Sequence, residues 1–569
     1  MSGSRRAVSD GALLAAIGSV LGLALLIWLW GGVAGAAFGG GWPQVRGGEL
    51  PGILVRLPAR LADPARAWPR PARSRLPGAV GFYAALAVLV AALAVAVWLA
   101  LGGTRTLWDR RAGASWARSR DLRALRKRAR STAPRGLRDQ RLALGRSAGR
   151  LVCAEQRHAL VAFGPPQSGK SAGLAVPALL EWRGPAVASS IKTDLLAATA
   201  SRRRSLGDVF VFDPFELAGF PGHAWSPLHG AHTWDGALEV AWRLAGAAEL
   251  DQRGVEGGDF WAVAAEQRLA PLLYIAAVTG AGMGSVVRWV YGQGGRELDQ
   301  ALNRLSEFAA DSEQLDAAHA AFDAVRAFEA QADRTRSSIE ATAQALLRAY
   351  RFTRVQRSAR STEILPDVLL DRAATLYLIG DAKASKLLRP IFLALLSEIV
   401  DRAYERATRN GGRLTQPLLL CLDEAGNVAP LPNLAEIAST APSHNIQLVS
   451  IFHDLAQARS RYGTQAETVV NSHRARMLLP GVADLETLRY FAGLVGDEEA
   501  LDQTRTTGAD GQSRSTARRR RPLIAPEALR QLPDGHALLL YGRLAPTRVK
   551  LRMWFADRRL RRLAQGVRG

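Results

Sequence analysis

The chain has very few cysteines: Cys153 and Cys421 are the two in 569 residues. Two cysteines allow one disulfide at most, which excludes the cross-linked framework that holds small secreted domains together. Neither cysteine stands at a metal-ligand spacing from another cysteine or histidine, so a zinc site built on thiolates is excluded too. The length exceeds what one ordinary core supports, and we expect two or three domains.

Charge is missing from two long stretches near the N-terminus. Residues 11–45 and 76–104 contain no Asp, Glu, Lys or Arg. Each stretch can supply the roughly 20 apolar residues that span a bilayer. A signal peptide plus a buried helix is the alternative, but the first segment is long for a signal sequence and a second span follows it. We therefore predict a membrane anchor at residues 1–104, with transmembrane helices at about 11–36 and 78–103.

The positive charge near the anchor predicts its orientation. Residues 105–150 hold 15 Lys and Arg against three acids, whereas the loop between the predicted spans holds seven Arg against two acids. The more basic flank stays in the cytoplasm, which places both termini there. Residues 105–150 are interpreted as a juxtamembrane segment that contacts anionic lipid headgroups.

The net charge of +23 is unevenly spread over the rest of the chain. The runs 514–521 and 558–568 contain five Arg each and no acid, and the remainder of residues 151–569 is net negative. The protein is therefore not a uniformly basic nucleic-acid-coating protein. Lipid contact and nucleic-acid contact both stay open for these two runs.

Strand-like and helix-like runs alternate after residue 150, which predicts an α/β domain with a parallel sheet flanked by helices. Residues 234–350 are instead Ala-rich, with apolar residues at three- and four-residue intervals, and predict an all-helical insertion. The predicted α/β domain comprises residues 151–233 and 351–557, followed by a basic tail at 558–569. Residues 504–521 predict an exposed loop, and residues 536–554 a late hairpin.

The stretch GPPQSGKS matches the phosphate-binding pattern G-x-x-x-x-G-K-[ST]. Its glycines let backbone N–H groups approach phosphate oxygens, and a helix N-terminus follows. Lys170 is expected to reach the β- and γ-phosphates, and the Ser171 hydroxyl to ligate Mg²⁺. The predicted nucleotide-binding residues are Gly164, Pro165, Pro166, Gln167, Ser168, Gly169, Lys170 and Ser171.

The stretch PLLLCLDEAGN is the expected partner of that loop. A buried apolar strand ends in two adjacent carboxylates, Asp423 and Glu424. Asp423 can face the Mg²⁺ ion, while Glu424 can act as the catalytic base on an attacking water. A strand followed by an acidic turn is common, so the pairing with the phosphate loop carries this assignment.

Several segments resemble the type IV coupling proteins, the conjugative ATPases of the TraG/TraD type. They are GPPQSGKSAGLAVPALLEW, IKTDLLAATA, DVFVFDPF, WSPL, LCLDEAGNVAPLPNLAEI and NSHRARMLLPG. The resemblance covers about residues 154–558, extends to the two predicted spans, and is most specific in LDEAGN and PLPNLAEI.

The resemblance has several implications. It implies a RecA-like P-loop ATPase fold with an all-helical insertion, and a ring of subunits, expected to be a hexamer. It implies ATP and Mg²⁺ as cofactors. It also implies ATP-driven delivery of DNA, expected to be single-stranded and attached to a relaxase, to a type IV secretion channel at the bacterial inner membrane.

The chain departs from the family pattern at two places. Many members carry Gln at the position of His453, where it would contact or sense the γ-phosphate, and a histidine charge would vary with pH. Many members also place an Arg before that strand, where this chain has residues 443–445, SHN. Four arginines are unranked candidates for an arginine finger: Arg389, Arg459, Arg461 and Arg474.

Three weaker signals remain. His223, His229 and His232 are close in sequence but have no Cys or carboxylate that completes a metal site, so a surface loop is favoured. Lys192 and Asp194 follow a strand near the predicted nucleotide end and are plausible site residues. Five tryptophans are interpreted as core anchors rather than base-stacking residues: Trp182, Trp225, Trp242, Trp261 and Trp289.

Two rival functions are compatible with the motifs. An FtsK-like double-stranded DNA translocase usually adds a winged-helix module, and here the chain ends about fifteen residues after the last predicted strand. A secretion-docking receptor for protein cargo would bind nucleotide with little hydrolysis. A response of ATPase activity to single-stranded DNA separates the motor from the receptor.

Overall fold

The computed structural model of the protein describes residues 22, 24–108, 113–126, 140–251, 258–508 and 511–566. The chain divides into two compact units, Met1–Ala112 and Gly113–Gly569, and each is described by itself. The helices of the first unit are α1 (Ala24–Phe38), α2 (Leu50–Arg56), α3 (Arg70–Arg73) and α4 (Ala79–Trp108).

Among the described residues of the first unit, one helix is long and apolar enough to cross a membrane. The window Ala79–Ala96 in α4 has a mean hydropathy of 2.4 over 18 residues. Helix α1 is apolar but shorter, and the start of the predicted first span lies outside the described residues. The prediction of two transmembrane helices is therefore not confirmed, whereas the second predicted span coincides with α4.

Aromatic residues hold the first unit together. The rings of Trp30 and Phe82 lie 4.9 Å apart, and Trp68 packs on the same Phe82 at 4.9 Å. The indole Nε1 of Trp30 donates a hydrogen bond to the Phe82 carbonyl at 2.7 Å, so its polar group is satisfied inside the apolar cluster. These contacts join α1 to α4.

The second unit is built on an eleven-stranded mixed sheet in the order β2-β1-β13-β12-β9-β3-β8-β7-β4-β6-β5. Its seven strands from β9 to β5 are parallel, and the other four extend it in antiparallel fashion. A separate two-stranded sheet pairs β10 with β11. The strands are β1 (Ala143–Ser147), β2 (Arg150–Cys153), β3 (Leu160–Phe163), β4 (Ala186–Ser190), β5 (Val209–Phe212), β6 (Thr375–Ile379), β7 (Leu418–Leu422), β8 (Ile446–Phe452), β9 (Ala475–Leu478), β10 (Asp497–Gly508), β11 (Gly511–Pro522), β12 (His536–Tyr541) and β13 (Thr547–Lys550).

Helices cover both faces of this sheet. The helices are α5 (Arg123–Arg126), α6 (Val176–Glu181), α7 (Asp194–Arg204), α8 (Trp234–Asp251), α9 (Gly258–Thr279), α10 (Met283–Val290), α11 (Gly295–Arg304), α12 (Ser312–Glu329), α13 (Asp333–Leu347), α14 (Thr353–Ser358), α15 (Pro366–Asp371), α16 (Ala382–Arg409), α17 (Leu434–Thr440), α18 (Leu455–Tyr462), α19 (Ala466–Ser472), α20 (Leu485–Val495), α21 (Pro526–Arg530) and α22 (Arg558–Ala564).

The central strands are apolar on both faces because helices cover both sides. In β3, Val161 and Phe163 belong to the hydrophobic cluster on one face, while Leu160 and Ala162 belong to the cluster on the other. This arrangement explains why the strands read as continuous apolar runs in the sequence. The α/β prediction is confirmed.

The Ala-rich block forms helices α8 to α13, which lie between strands β5 and β6 in the chain. Their apolar faces join the larger hydrophobic cluster, to which α16 also contributes. Helix α8 contacts α16 directly. The element order agrees with a helical insertion, and the exact domain bounds remain a prediction.

Three segments differ from the sequence prediction. Residues 143–147 of the basic juxtamembrane segment form strand β1, which lies between the edge strand β2 and β13. The predicted loop at 504–521 is instead part of the β10–β11 hairpin, whose acidic strand start faces the arginines of β11, as in the 2.9 Å pair of Glu498 with Arg521. The basic tail forms α22, because Leu560 and Leu563 are buried against the sheet unit. The predicted late hairpin is confirmed as β12–β13.

Candidate nucleotide site

The phosphate loop runs from the end of β3 into a helical turn, as the motif predicts. Gln167 and Gly169 have left-handed backbone angles, with φ of 67° and 86°. A Cβ atom at Gly164 would lie 2.5 Å from the Ser168 hydroxyl and 3.1 Å from the Leu479 Cβ, so a side chain there would displace its neighbours. The turn after the loop, Ser171–Ala175, is a π-helix that continues into α6. Such π-turns are frequent at functional sites.

A C-terminal segment that contains Met553 and Trp554 packs against the phosphate loop and the turn that follows it. The backbone N–H of Trp554 donates to the Ala172 carbonyl at 3.1 Å. A Cβ atom on Gly169 would lie 2.5 Å from the Met553 methyl group. Residues about 380 positions away in sequence therefore help to hold the loop in shape, and no local sequence signal points to them.

Asp423 lies at the end of β7 beside the phosphate loop. The Ser171 hydroxyl donates to Asp423 Oδ2 at 2.5 Å, and the Asp423 backbone N–H donates to the Ser189 carbonyl at 3.1 Å. Oδ1 is buried and has no hydrogen-bond partner among the described residues. Burial raises the pKa of Asp423 to about 6, an effect that the Ser171 hydroxyl opposes and the neighbouring Glu424 charge reinforces.

Glu424 is held by three polar side chains. Lys170 Nζ lies 3.3 Å from Oε1, His453 Nε2 lies 2.8 Å from Oε2, and Asn427 Nδ2 donates to Oε2 at 3.0 Å. Burial alone would raise the pKa of Glu424, but the bond from His453 and the charge of Lys170 outweigh it and lower the pKa. The backbone φ of Glu424 is 66°, a strained conformation for a residue with a side chain. Strain of this kind is maintained where the surrounding structure fixes it.

His453 bridges the lysine and the glutamate. Its Nδ1 lies 3.2 Å from Lys170 Nζ, and its backbone N–H donates to Gln457 Oε1 at 2.7 Å. An ammonium group only donates, so Nδ1 accepts from Lys170 and Nε2–H donates to Glu424. Geometry thus assigns the Nε2–H tautomer to this histidine. A glutamine has one acceptor and one donor as well, so it can form the same bridge.

The site can hold a hard divalent cation on oxygen ligands. No group of three or more His, Cys, Asp or Glu able to hold a metal is present in the described part of the chain. Mg²⁺ needs no such cage, since it is usually bound by one or two protein oxygens together with phosphates. The unpartnered Oδ1 of Asp423 and the adjacent Ser171 hydroxyl fit that requirement.

The weaker sequence signals have different outcomes. Asp194 begins α7 after β4 and is close enough to Asp423 for its charge to raise the pKa of that carboxyl. His223 accepts a hydrogen bond from the Val211 backbone at 3.1 Å, a structural role. His229 and His232 line a polar cavity near α10, away from the phosphate loop.

The four arginine-finger candidates are engaged within the chain. Arg389 is buried in α16. Arg459 pairs with a glutamate of α19 at 3.0 Å and with one of α20, and Arg461 donates to the Gly426 carbonyl at 2.8 Å. The guanidinium of Arg474 packs against Gly542. The identity of an arginine finger therefore remains open.

Sequence reasoning missed two residues that shape the site. Asn427 belongs to the LDEAGN stretch, and its spacing of three residues from Glu424 could have indicated the side-chain contact. Met553 stands over the phosphate loop and had no such signal.

The chain is similar to known proteins over most of its length. The profile of the family "Type IV secretory system Conjugative DNA transfer" matches residues 115–567. A conjugal transfer protein TraG of Escherichia coli is 24% identical over 401 residues, covering 66% of this chain and 61% of the relative. A VirD4 protein of Rhizobium rhizogenes is 23% identical over 430 residues, covering 73% of this chain and 60% of the relative. The chain thus spans about three fifths of the length of these relatives.

Solved structures show the same fold. The bacterial conjugative coupling protein TrwBΔN70 superimposes with a TM-score of 0.56 at 17% identity, covering 78% of this chain and 92% of that one. Plasmid coupling protein TrwB in complex with ADP and Mg²⁺ gives a TM-score of 0.55 at 16% identity, with coverage of 78% and 94%. The second unit has an α/β RecA-like ATPase fold. Because the family profile covers most of the sequence, the chain belongs to the type IV secretory system conjugative DNA transfer family.

Proposed function

We propose that the protein is a membrane-anchored ATPase that couples ATP hydrolysis to the delivery of DNA, with an attached relaxase, to a type IV secretion channel. The observation that carries the proposal is the convergence of Lys170, Ser171, Asp423 and Glu424 at one edge of the sheet. Family membership supplies the transfer context. The nucleotide complexes of TrwB support ATP and Mg²⁺ as cofactors.

The residues have separate roles in this proposal. Lys170 and the loop N–H groups hold the phosphates, and Ser171 and Asp423 hold Mg²⁺. When bound, Mg²⁺ neutralises phosphate charge and polarises the γ-phosphoryl group. A phosphate competes with Glu424 for Lys170, which leaves Oε1 of Glu424 able to accept a proton from water. His453 and Asn427 hold the other oxygen and fix the direction of the carboxylate.

The assembly is also part of the proposal. A two-pass anchor in the bacterial inner membrane with the ATPase unit in the cytoplasm agrees with the charge distribution and with the apolar helix α4. A homo-hexamer would allow a neighbouring subunit to provide an arginine finger, since the four candidate arginines make contacts within their own chain.

The test is phosphate release by the purified full-length protein in detergent, with and without single-stranded DNA. We expect DNA-stimulated release by the wild type and none above background by Lys170→Ala, with membrane insertion unchanged. Lys550→Ala, an exposed lysine of β13, is the matched control and keeps full activity. Wild-type turnover in Lys170→Ala would refute the site, and turnover without any DNA response would favour a protein-docking receptor.

A further inference from the structure

A basic groove lies apart from the nucleotide site. It is a cavity of about 650 Å³, lined by Arg348, Arg351, Phe352, Lys383, Lys386 and Leu387. The two arginines come from the turn that ends the helical block, and the two lysines come from the start of α16. No acidic residue lines this groove.

Within the described residues, no ion pair neutralises the cations of the basic groove. Arg348, Arg351, Lys383 and Lys386 are all exposed, and none makes an ion pair with the part of the chain that the structure describes. The nearby Asp381 is used as a helix cap, since its Oδ1 accepts from the backbone N–H groups of Lys383 and Ala384. Four like charges facing one cavity repel one another, so an anion in the groove would be stabilised.

The position of the lysines makes this arrangement costly without a ligand. Lys383 and Lys386 are the second and fifth residues of α16, a helix of 28 residues. Cations are disfavoured at a helix N-terminus because the aligned peptide dipoles place partial positive charge there. Asp381 caps the backbone N–H groups of this terminus, so the anion-binding capacity of the groove comes from the side chains of the two lysines and the two arginines.

An exposed aromatic ring indicates what kind of anion fits. Phe352 is 45% exposed, and its ring packs in a T-shaped arrangement with Phe215, with ring centroids 5.4 Å apart. Arg351 lies over the ring of Tyr291 at 5.0 Å, which holds its guanidinium beside the groove. Basic side chains combined with an accessible aromatic face are the features that bind single-stranded nucleic acid, because phosphates pair with the cations and unpaired bases stack on the ring. A duplex keeps its base faces covered, and an acidic peptide has no need of the ring.

The basic groove and the candidate nucleotide site both follow the C-terminal ends of strands in the parallel part of the sheet. Helix α16 follows β6 and the phosphate loop follows β3, and both strands belong to the parallel part of the sheet. β6 and β3 are separated by β4, β7 and β8, four strand spacings and so about 19 Å. Gly380 at the end of β6 donates to the Ser190 carbonyl of β4 at 3.4 Å, and the Ser189 carbonyl accepts from Asp423. A single strand, β4, therefore lies between β6, which precedes α16 of the basic groove, and β7, which ends at Asp423.

We propose that the basic groove binds a single-stranded segment of the transferred DNA, with phosphates on the four cations and an unpaired base on Phe352. The proposal rests on the proposed function, and it names where DNA contacts the motor. The groove is distinct from the phosphate loop, so its loss leaves nucleotide binding intact.

The test is the salt dependence of binding of a fluorescein-labelled oligo(dT) to the full-length protein in detergent, measured by anisotropy. Each phosphate contact to a single strand contributes about 0.7 to the slope of log K against log[salt]. We expect Lys383→Ala/Lys386→Ala to lower the slope by about 1.4. The matched control is Arg296→Ala/Arg334→Ala, which removes the same charge from two other exposed helix starts and leaves the slope unchanged.

Two further variants separate stacking from charge. Phe352→Ala is expected to weaken oligo(dT) binding about tenfold at fixed salt, and Phe352→Tyr to retain it. The lysine variants should fold normally, since removing cations from a helix N-terminus does not weaken the helix. ATP binding should be unchanged in all of them, and DNA stimulation of phosphate release should be lost in Lys383→Ala/Lys386→Ala.

Several outcomes would overturn the groove proposal. They are a salt slope of Lys383→Ala/Lys386→Ala equal to that of the control pair, competition by duplex DNA as strong as by oligo(dT), or capture of an acidic peptide in place of DNA. A failure of the proposed function would look different, since Glu424-dependent phosphate release would then be absent from the wild type itself.

Discussion

Replacing Asp423 with Asn removes a buried carboxylate whose environment opposes its charge. Oδ1 has no partner among the described residues, and burial raises the pKa of the group to about 6. An unfolded aspartate has a pKa of about 3.9. Between these values the folded wild type binds more protons than the unfolded chain, so its stability falls as the pH rises through that window.

The size of the effect follows from the pKa difference. A shift of about two units corresponds to about 3 kcal/mol of lost stability above pH 7, and about 2 kcal/mol of it is lost between pH 4.5 and 7.5. Asn does not titrate, so the Asp423→Asn variant gains that amount relative to the wild type over this range. Any cost of burying the amide is independent of pH and cancels in the comparison. For a unit the size of residues 113–569, about 1 kcal/mol shifts the melting temperature by about 1 °C.

The assay is thermal unfolding of the nucleotide-free full-length protein with EDTA, at pH 4.5 and pH 7.5. The melting temperature of Asp423→Asn minus that of the wild type should be about 2 °C higher at pH 7.5 than at pH 4.5. Asp316→Asn, which changes an exposed carboxyl on α12, should show no such difference. If the melting temperature of Asp423→Asn minus that of the wild type is equal or smaller at pH 7.5, the charge of Asp423 does not destabilise the folded protein and the reasoning is refuted.

Substitutions at three further positions probe the same site. Glu424→Gln should retain ATP binding but slow phosphate release by about 10²- to 10⁴-fold, because it removes the general base. A loss of ATP affinity as large as the loss of rate would contradict the assignment of Glu424 as the base. His453→Gln should keep near-normal turnover because glutamine can form both hydrogen bonds of the bridge between Lys170 and Glu424. His453→Leu can form neither bond and should lower the turnover. A higher steady-state rate for His453→Leu than for His453→Gln would exclude the bridge. Gly169→Ala should abolish nucleotide binding by calorimetry, because φ is 86° and the new Cβ would lie 2.5 Å from the Met553 methyl, and unchanged affinity would show that the loop adapts.

The positions of the residues in the candidate nucleotide site could be predicted from local sequence. The phosphate loop has a fixed spacing, and an apolar strand that ends in two carboxylates specifies where Asp423 and Glu424 lie relative to a parallel sheet. The contacts of His453 with both Lys170 and Glu424 could not be predicted, because they depend on how β8 sits between β3 and β7.

The fold was less predictable where signals were weak or distant. The β10–β11 hairpin has polar strands without apolar alternation, so its sequence resembles a loop. In α22 the arginines mask Leu560 and Leu563, whose spacing of three residues is the helical signal. The basic groove joins residues about 35 positions apart through tertiary packing, and no motif marks it.

In the proposed function, ATP hydrolysis that depends on Glu424 drives the motion of the protein relative to the DNA that it delivers. The most direct measurement is displacement of streptavidin from the biotinylated end of a single-stranded oligonucleotide by the full-length protein with ATP and Mg²⁺. We expect displacement by the wild type and none by Glu424→Gln, although both bind ATP and the oligonucleotide. Displacement by Glu424→Gln, or ATP hydrolysis by the wild type with no displacement, would contradict the proposed function.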